Sequence, residues 1–379
     1  MSRLRIGIIG CGVIADIYCR NTPRFADIEM RACADLRAEA AEKLAGKYDL
    51  TPMTVSDLLA SPDVDIVLNL TIPAAHADVS MAALGAGKHV YTEKPLATSV
   101  AAARELVATA TERGLRIAAA PDTVLGAAGR EARRLIDSGR AGRITAGTAF
   151  VLSRGMEHWH PSPAWFFQPG AGPVFDMGPY YLTQLVQLLG PVLRVAALAG
   201  TGFTERLLSA EGPLKGTKVP VGTPTTLLSL LDFAGGSQVM FGASWDVSRH
   251  SHRPFELYGT EASLRLPDPN FMGGTIELGT REQDWQEIRT DHLVFGQNNY
   301  PLDAPRSAND RGLGLAEMAR AINEGRPQRL SARLALHVTA VMESILRAGS
   351  EGRVVTVEDA VERPAPLGED EAASLLRAG

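Results

Sequence analysis

Between residues 4 and 120 the chain alternates short apolar runs with amphipathic stretches. Leu4–Ile9, Met30–Ala34, Ile66–Leu70, His89–Tyr91 and Arg116–Ala120 read as strands. They are nearly continuous in apolar residues, as parallel strands covered on both faces must be. Helical periodicity fills the gaps near Ile14–Asn21, Ala38–Tyr48, Ala75–Ala86 and Val100–Arg113. Strands alternating with helices predict βαβ units and a doubly wound parallel sheet.

Beyond residue 122 the rhythm changes. A helix near Leu125–Ser138 leads into a long strand, Ile144–Leu152, then a loop rich in proline and aromatic residues between Trp159 and Pro169. Another helical stretch runs to about Leu189. Strand patterns follow at Leu193–Ala199, Thr225–Phe233, Ser237–Trp245, Phe255–Gly259 and Ser263–Leu266. The pair around Ala234-Gly235-Gly236 reads as a hairpin. Two further helices are predicted near Gly312–Asn323 and Ala332–Ala348. This half reads as an α+β unit with a mostly antiparallel, open sheet. The division predicted is residues 1–122 and 123–379.

The bulk composition narrows the function classes. With 379 residues and 45% hydrophobic content, the chain can bury cores of ordinary size without metal or disulfide staples. A net charge of −5 disfavours nucleic acid or an anionic membrane as the main partner. No run approaches the ~20 apolar residues of a membrane span. Cys11, Cys19 and Cys33 are odd in number and lack C-x-x-C spacing, which suits a reducing compartment. The apolar run at the N-terminus is short and broken by glycine, unlike a secretory leader. A cytoplasmic location is expected.

Gly10-Cys11-Gly12-Val13-Ile14-Ala15 is G-x-G-x-x-A, placed directly after the first strand and opening the first helix. That placement is the dinucleotide-binding (Rossmann) fingerprint. Gly10 permits the turn and Gly12 admits a pyrophosphate. Backbone donors around Val13 and Ile14 face its oxygens. Asp35 ends the second strand, where a carboxylate bonds the adenosine ribose and repels a 2′-phosphate. NAD is therefore expected over NADP, although Arg37 is in reach of a phosphate and Asp35 is also a candidate helix cap.

Glu93-Lys94-Pro95 follows the strand His89–Tyr91 at the C-terminal edge of the sheet, where open α/β sheets bind ligands. Oxidising an alcohol needs a group within hydrogen-bond reach of the hydroxyl. A lysine facing a cationic nicotinamide is expected to have a lowered pKa; the plainer alternative is an ion pair with a carboxylate. Together with the glycine motif, with Gly172-Pro173-Val174-Phe175-Asp176-Met177-Gly178 and with Glu256-Leu257-Tyr258-Gly259-Thr260-Glu261-Ala262, this segment resembles the Gfo/Idh/MocA oxidoreductases. Glucose–fructose oxidoreductase and inositol dehydrogenase are namesakes of that family.

The resemblance implies a hydride transfer between a nicotinamide and a hydroxyl or ketone carbon of a sugar, cyclitol or related polyol. It implies that Lys94 is the catalytic lysine, beside a Lys94–Pro95 bond that is often cis, and that Asp176 binds substrate hydroxyls or the lysine. It places Thr71, Pro73, His76 and Glu93 on the cofactor side. The family pattern D-x-G-x-H departs here to Asp176-Met177-Gly178-Pro179-Tyr180, so the usual histidine is absent. Tyr180 can donate or relay a proton in its place, or pack inward with its hydroxyl on backbone. Because proline is tolerated in a first helical turn, the helix is expected to begin close to Pro179. Asp176 would then lie just before it or in its first turn.

Trp159, His160, Trp165 and Phe166 either wall a sugar site or bury within their own half. Aromatic faces suit sugar rings. His250 and His252 point the same way in an extended chain, but no third ligand has suitable spacing and no metal is expected. Cys11 is read as packing. Two rival readings share these features: a redox-neutral, NAD-assisted lyase or glycosidase, and a non-catalytic cofactor sensor. An open sheet face needs cover, so a homodimer or homotetramer is expected.

Overall fold

A computed structural model describes residues 3–160, 162–299 and 308–377. The first sheet is parallel, with six strands: β1 (Leu4–Ile9), β2 (Ile28–Ala34), β3 (Thr51–Pro52), β4 (Ile66–Asn69), β5 (His89–Thr92) and β6 (Ile117–Ala119). Their order is β3-β2-β1-β4-β5-β6. Helices α1 (Ala15–Asn21), α2 (Ala38–Tyr48), α3 (Val55–Ala60), α4 (His76–Gly85) and α5 (Val100–Glu112) connect them. Strands β1 and β4 are almost wholly buried, which accounts for their largely apolar sequence, with Arg5 and Asn69 the exceptions. The strand order reverses at β1/β4, and ligands of such sheets bind outside the strand ends at that switch point.

After α6 (Ala127–Asp137) the chain enters β7 (Ile144–Leu152), then α7 (Gly172–Leu189) and β8 (Val192–Gly200). A small hairpin, β9 (Glu205–Leu207) and β10 (Lys218–Pro220), precedes β11 (Thr226–Phe233) and β12 (Gln238–Ser244). These are followed by β13 (Phe255–Gly259), β14 (Ser263–Leu266), β15 (Thr275–Gly279) and β16 (Gln286–Arg289). Last come α8 (Leu313–Glu324), α9 (Ala332–Glu351), β17 (Val355–Thr356) and α10 (Glu369–Ser374). Nine strands form the second sheet in the order β16-β15-β14-β13-β7-β12-β11-β8-β17. All its pairs are antiparallel except β12 with β7.

Helices α7 and α9 pack on one face of this sheet, and α9 also packs on α5 and β6. The other face is open. Strand β11 alternates buried and exposed residues, and Leu198, Leu228, Leu230 and Met240 stand on the uncovered side. The C-terminal segment returns to the first sheet, where Arg320 pairs with Asp27 and Leu376 bridges Phe25.

One helix differs from the sequence expectation. Helix α7 begins at Gly172, not near Pro179, and Pro173 occupies its first turn. Pro179 lies inside, where it removes the N–H that would bond the Phe175 carbonyl. Burial overrides that cost: Val174, Phe175, Gly178, Tyr181, Leu182 and Leu185 are all buried along α7. The approach is close, since a Cβ on Gly178 would come 3.3 Å from the Met342 sulfur of α9.

Candidate active site

The glycine turn is built for close approach. Gly10 has φ +101°, and a Cβ there would sit 2.6 Å from the Leu70 backbone, so only glycine fits. Gly12 has nothing within 4 Å of its would-be Cβ. Beside it opens a cleft of about 770 Å³ lined by Cys11, Gly12, Val13, Ile14, Arg37 and Arg311, among others. Ile14 precedes α1 without any side-chain cap, and the Ala15 N–H closes the turn onto the Gly12 carbonyl at 3.1 Å. Val13 is 97% exposed, Leu36 99% and Ile72 61%. Three bare apolar side chains beside this turn mark a surface shaped for a large, partly apolar ligand.

Asp35 accepts the Cys11 N–H at 2.8 Å and the Arg37 N–H at 2.9 Å. It does not cap α2, whose N-cap is Arg37 without a side-chain bond. The carboxylate thus fastens the glycine turn to the end of β2, with one bond on each oxygen. Arg37 is largely exposed and only 3.9 Å from Asp35.

Past β4, Thr71 donates to the Asn69 side chain at 2.7 Å, and Pro73 opens a short 3-10 turn. His76 is not at the cleft surface: it is 1% exposed. Its ring is wedged between two carbonyls, with Nδ1 2.7 Å from Pro95 O and Nε2 3.0 Å from Thr71 O. Burial pushes its pKa down. His76 therefore ties the Thr71 turn to the Glu93–Pro95 turn from behind.

At the end of β5, Glu93 accepts the Tyr18 hydroxyl at 3.0 Å and the Lys94 N–H at 2.9 Å. The Lys94–Pro95 bond is cis. Lys94 Nζ donates to Asp176 Oδ1 at 2.8 Å and to the Asp176 carbonyl at 2.7 Å. That carbonyl lies one residue beyond the one left without a donor by Pro179. The expected lowering of the Lys94 pKa is reversed here. Burial works against the ammonium, but the charges of Asp176, Tyr180 and Glu93 outweigh it and hold the pKa above its ordinary value. The opposite charge sits in direct contact, and that decides the sign.

Tyr180 shares the inner face of α7 with Asp176, one turn on. Lys94 Nζ lies 5.3 Å from the centre of its ring, a contact with the π face. Arg311, itself bonded to the Asn309 and Asn270 side chains, has its pKa raised, burial being outweighed by the nearby Tyr180, Asp122 and Glu93. Arg311 and Asp122 were not legible in the sequence. Asp122 is 1% exposed and accepts the Gly312 and Gly314 N–H groups at 2.8 and 3.2 Å. Burial pushes its pKa up to about 6. No spacing links residues 122, 180 and 311; only the fold brings them together.

The aromatic loop divides between its two expected fates. Phe166 and Phe167 are buried with Met156, Leu208, Val219 and Trp245. Trp159 is 61% exposed, edge-on to His160 at 5.4 Å. His160 Nδ1 accepts the Ser162 N–H at 3.1 Å, which assigns the ring proton to Nε2. Burial pushes the ring's pKa down, partly offset by the Asp176 charge. Arg206, 6% exposed on its side chain, anchors the loop by pairing with Glu157 at 3.0 Å and with Asp246. His250 and His252 stack 6.2 Å apart, with His252 against Phe150. Among the described residues no three His, Cys, Asp or Glu side chains converge as a metal site.

Residues 4–120 match the family described as an oxidoreductase family with an NAD-binding Rossmann fold, and residues 130–265 match the GFO/IDH/MocA C-terminal domain. The dTDP-3,4-didehydro-2,6-dideoxy-alpha-D-glucose 3-reductase of Streptomyces violaceoruber is 33% identical over 273 residues, 69% of this chain and 72% of that protein. Levoglucosan dehydrogenase of Pseudarthrobacter phenanthrenivorans is 25% identical over 336 residues, 80% of this chain and 85% of that one. Among solved structures, a levoglucosan dehydrogenase in complex with NADH and L-sorbose shares the fold. Its TM-score is 0.81 at 21% identity, covering 94% of this chain and 99% of that chain.

Proposed function

The chain belongs to the Gfo/Idh/MocA family of NAD-binding oxidoreductases, and on that premise we propose that it interconverts a hydroxyl and a ketone on a cyclic sugar, cyclitol or related polyol. Bound in the cleft beside Gly12, NAD would accept the hydride and NADH would supply it. Gly10 and Gly12 would leave room for its pyrophosphate, Val13 and Ile14 would present backbone donors, and Asp35 would accept from the adenosine ribose. Thr71 and Pro73 would line the nicotinamide side, with His76 and Glu93 holding that turn in place. Arg37 leaves NADP as a secondary cofactor. We assign residues 1–122 to the cofactor and residues 123–379 to substrate binding and self-association.

The observation that carries this reading is the Lys94–Asp176 pair. It joins the C-terminal end of a parallel strand to a helix of the second half through two bonds of 2.7 and 2.8 Å. Lys94 presents its remaining N–H to the reacting oxygen, and Asp176 keeps it charged. Tyr180 relays the proton. His160 offers an Nε2–H to another substrate hydroxyl, and Trp159 gives a bare aromatic face to the ring. Kinship with a levoglucosan dehydrogenase and a sugar-nucleotide 3-reductase supports a carbohydrate substrate. A second copy of the chain covers Leu198, Leu228, Leu230 and Met240, giving a homodimer or homotetramer; a monomer by light scattering would count against this. No described helix is long and apolar enough to cross a membrane. The free thiols of Cys11, Cys19 and Cys33 support a cytoplasmic location, and the net charge supports partners other than nucleic acid.

The test is to follow nicotinamide absorbance with NAD and with NADP across a panel of anhydro-sugars, aldoses and cyclitols, beside Lys94→Met. Turnover lost in that variant is expected. Silence across the panel with the cofactor bound would shift the reading to a redox-neutral enzyme or a sensor.

A further inference from the structure

We infer that Arg206 is a positioning residue that holds Trp159 and His160 in place for a sugar ring, by locking the aromatic loop to the β9–β10 hairpin. This rests on the reading of the site given above. The Arg206 side chain is 6% exposed and reaches three parts of the chain at once. It donates to Glu157 Oε1 of the loop at 3.0 Å, to the Trp245 carbonyl at 3.3 Å and to Asp246, the last two just past β12. The guanidinium also lies over the Phe203 and Phe167 rings, 4.8 and 5.5 Å from their centres. Asp246 is fixed in turn. It accepts from the Thr225 and Thr226 hydroxyls at 2.7 Å each and from the Gly202 N–H at 3.1 Å. A planar guanidinium fork can bind both carboxylates without changing its own shape, so the loop is anchored to the end of the second sheet.

The hairpin region holds the loop at both ends. At the front, the Glu157 carbonyl accepts the Ser209 and Ala210 N–H groups at 2.8 and 2.9 Å. At the back, the Phe167 carbonyl accepts the Gly222 N–H at 2.8 Å. Between them, the Met156 carbonyl accepts the Trp159 and His160 N–H groups at 3.2 and 2.9 Å, so the turn that carries both rings is built around Glu157. The loop then runs past the reacting pair. A Cβ on Gly170 would lie 3.6 Å from Thr98, which follows shortly after Lys94. One on Gly172, the first residue of α7, would lie 3.2 Å from Thr223, and Asp176 is one turn further along that helix. Loop and hairpin share a small core of Met156, Phe166, Phe167, Leu208, Val219 and Trp245, separate from the main one. This unit can therefore loosen while the rest stays folded. A loosened loop displaces Trp159 and His160 and leaves Lys94 and Asp176 bonded. Loss of Arg206 thus weakens binding of substrate and transition state alike, which raises KM and spares kcat.

The test uses the full-length protein with Arg206→Met, Arg206→Lys, Trp159→Ala and the double variant of Arg206→Met with Trp159→Ala, on a polyol that the parent oxidises. Arg206→Met is expected to raise KM about tenfold or more, with kcat held within about threefold and NADH affinity within about twofold by fluorescence titration. Adding Trp159→Ala should raise KM less than about threefold further, because Arg206 acts through the loop that carries the ring. Arg206→Lys should recover part of the loss, since charge persists without the planar fork. Hydrogen exchange without substrate should quicken about tenfold or more in residues 156–160 and 205–220 of Arg206→Met and stay unchanged in β1 and α9. An unchanged KM, effects that multiply in the double variant, or exchange that quickens throughout the chain overturns the inference and leaves the reading of the site standing. A parent that turns over no polyol overturns that reading, and the exchange then still decides whether Arg206 holds the loop.

Discussion

Replacing Asp176 with asparagine separates the charge of the Lys94 partner from its shape. Both side chains are about 15% exposed, so the pair is little screened by solvent. Asparagine can still accept from Nζ through its side-chain oxygen, and the Asp176 carbonyl bond at 2.7 Å belongs to the backbone. What disappears is the negative charge opposite a buried ammonium. Removing one partner of such a pair costs about 3–5 kcal/mol, and a retained neutral hydrogen bond returns about 1 kcal/mol. A loss of about 2–4 kcal/mol in unfolding free energy at neutral pH is therefore expected.

The pH dependence of that loss is diagnostic. In the parent, Lys94 has a folded pKa above its ordinary 10.5. Its contribution is fully present below that value and is lost only as pH rises through the folded pKa. In Asp176→Asn, burial faces weaker opposition, and the folded pKa falls. Once it lies below the unfolded value, the unfolded chain binds more protons and stability rises with pH. The gap between the two proteins should be widest near neutrality and narrow toward about pH 10. Urea unfolding followed by tryptophan fluorescence at several pH values measures it. A gap below about 0.5 kcal/mol, the level of an ordinary surface substitution, or one that widens with pH, would refute this account of the pair.

Other consequences follow from single side chains. Asp35→Ala frees the Cys11 and Arg37 amides and removes the charge that excludes a 2′-phosphate. NAD affinity should drop about tenfold or more while NADP affinity rises, by fluorescence titration of both reduced cofactors. Asp122 has its pKa raised from 3.8 to about 6. Its stabilising protonated state is complete below the unfolded value and lost as pH climbs through the folded one, a swing of up to about 3 kcal/mol. Asp122→Asn should flatten unfolding free energy between about pH 4 and pH 7 relative to the parent; an unchanged slope would remove Asp122 as its source. Trp159→Ala, at a site 61% exposed, should change stability by less than about 0.5 kcal/mol. Its KM for sugars should rise with kcat nearly constant, and a fall in kcat alone would place the ring elsewhere in the reaction.

The legible part of this molecule is what local sequence controls. The G-x-G-x-x-A turn could be read because a single backbone requirement at Gly10 and open space at Gly12 select the residues. Buried parallel strands such as β1 leave a nearly continuous apolar run, broken only at Arg5, whereas β11 alternates in exposure but not in polarity, with Ser229 buried and Leu228 and Leu230 exposed. Helix α7 was misplaced at its start because Pro179 is a local stop signal, and only the packing of α7 against the second sheet and α9 overrules it. The resemblance placed His76 on the cofactor side. Its ring turns inward to lie between the Thr71 and Pro95 carbonyls, 24 residues apart, and being neutral it donates its single N–H to one of them. Arg311, Asp122 and Arg206 carry no sequence signal, since each matters through residues that only the fold brings near.

The most direct test of hydride transfer between substrate carbon and nicotinamide uses a polyol that the protein oxidises, labelled with deuterium at its ring carbons. After incubation with NAD, mass spectrometry of the recovered cofactor reads where the label went. The account predicts deuterium on the reduced nicotinamide in the wild-type reaction and none in the Lys94→Met reaction. Label that remains wholly in the sugar, or transfer that survives in Lys94→Met, would contradict it.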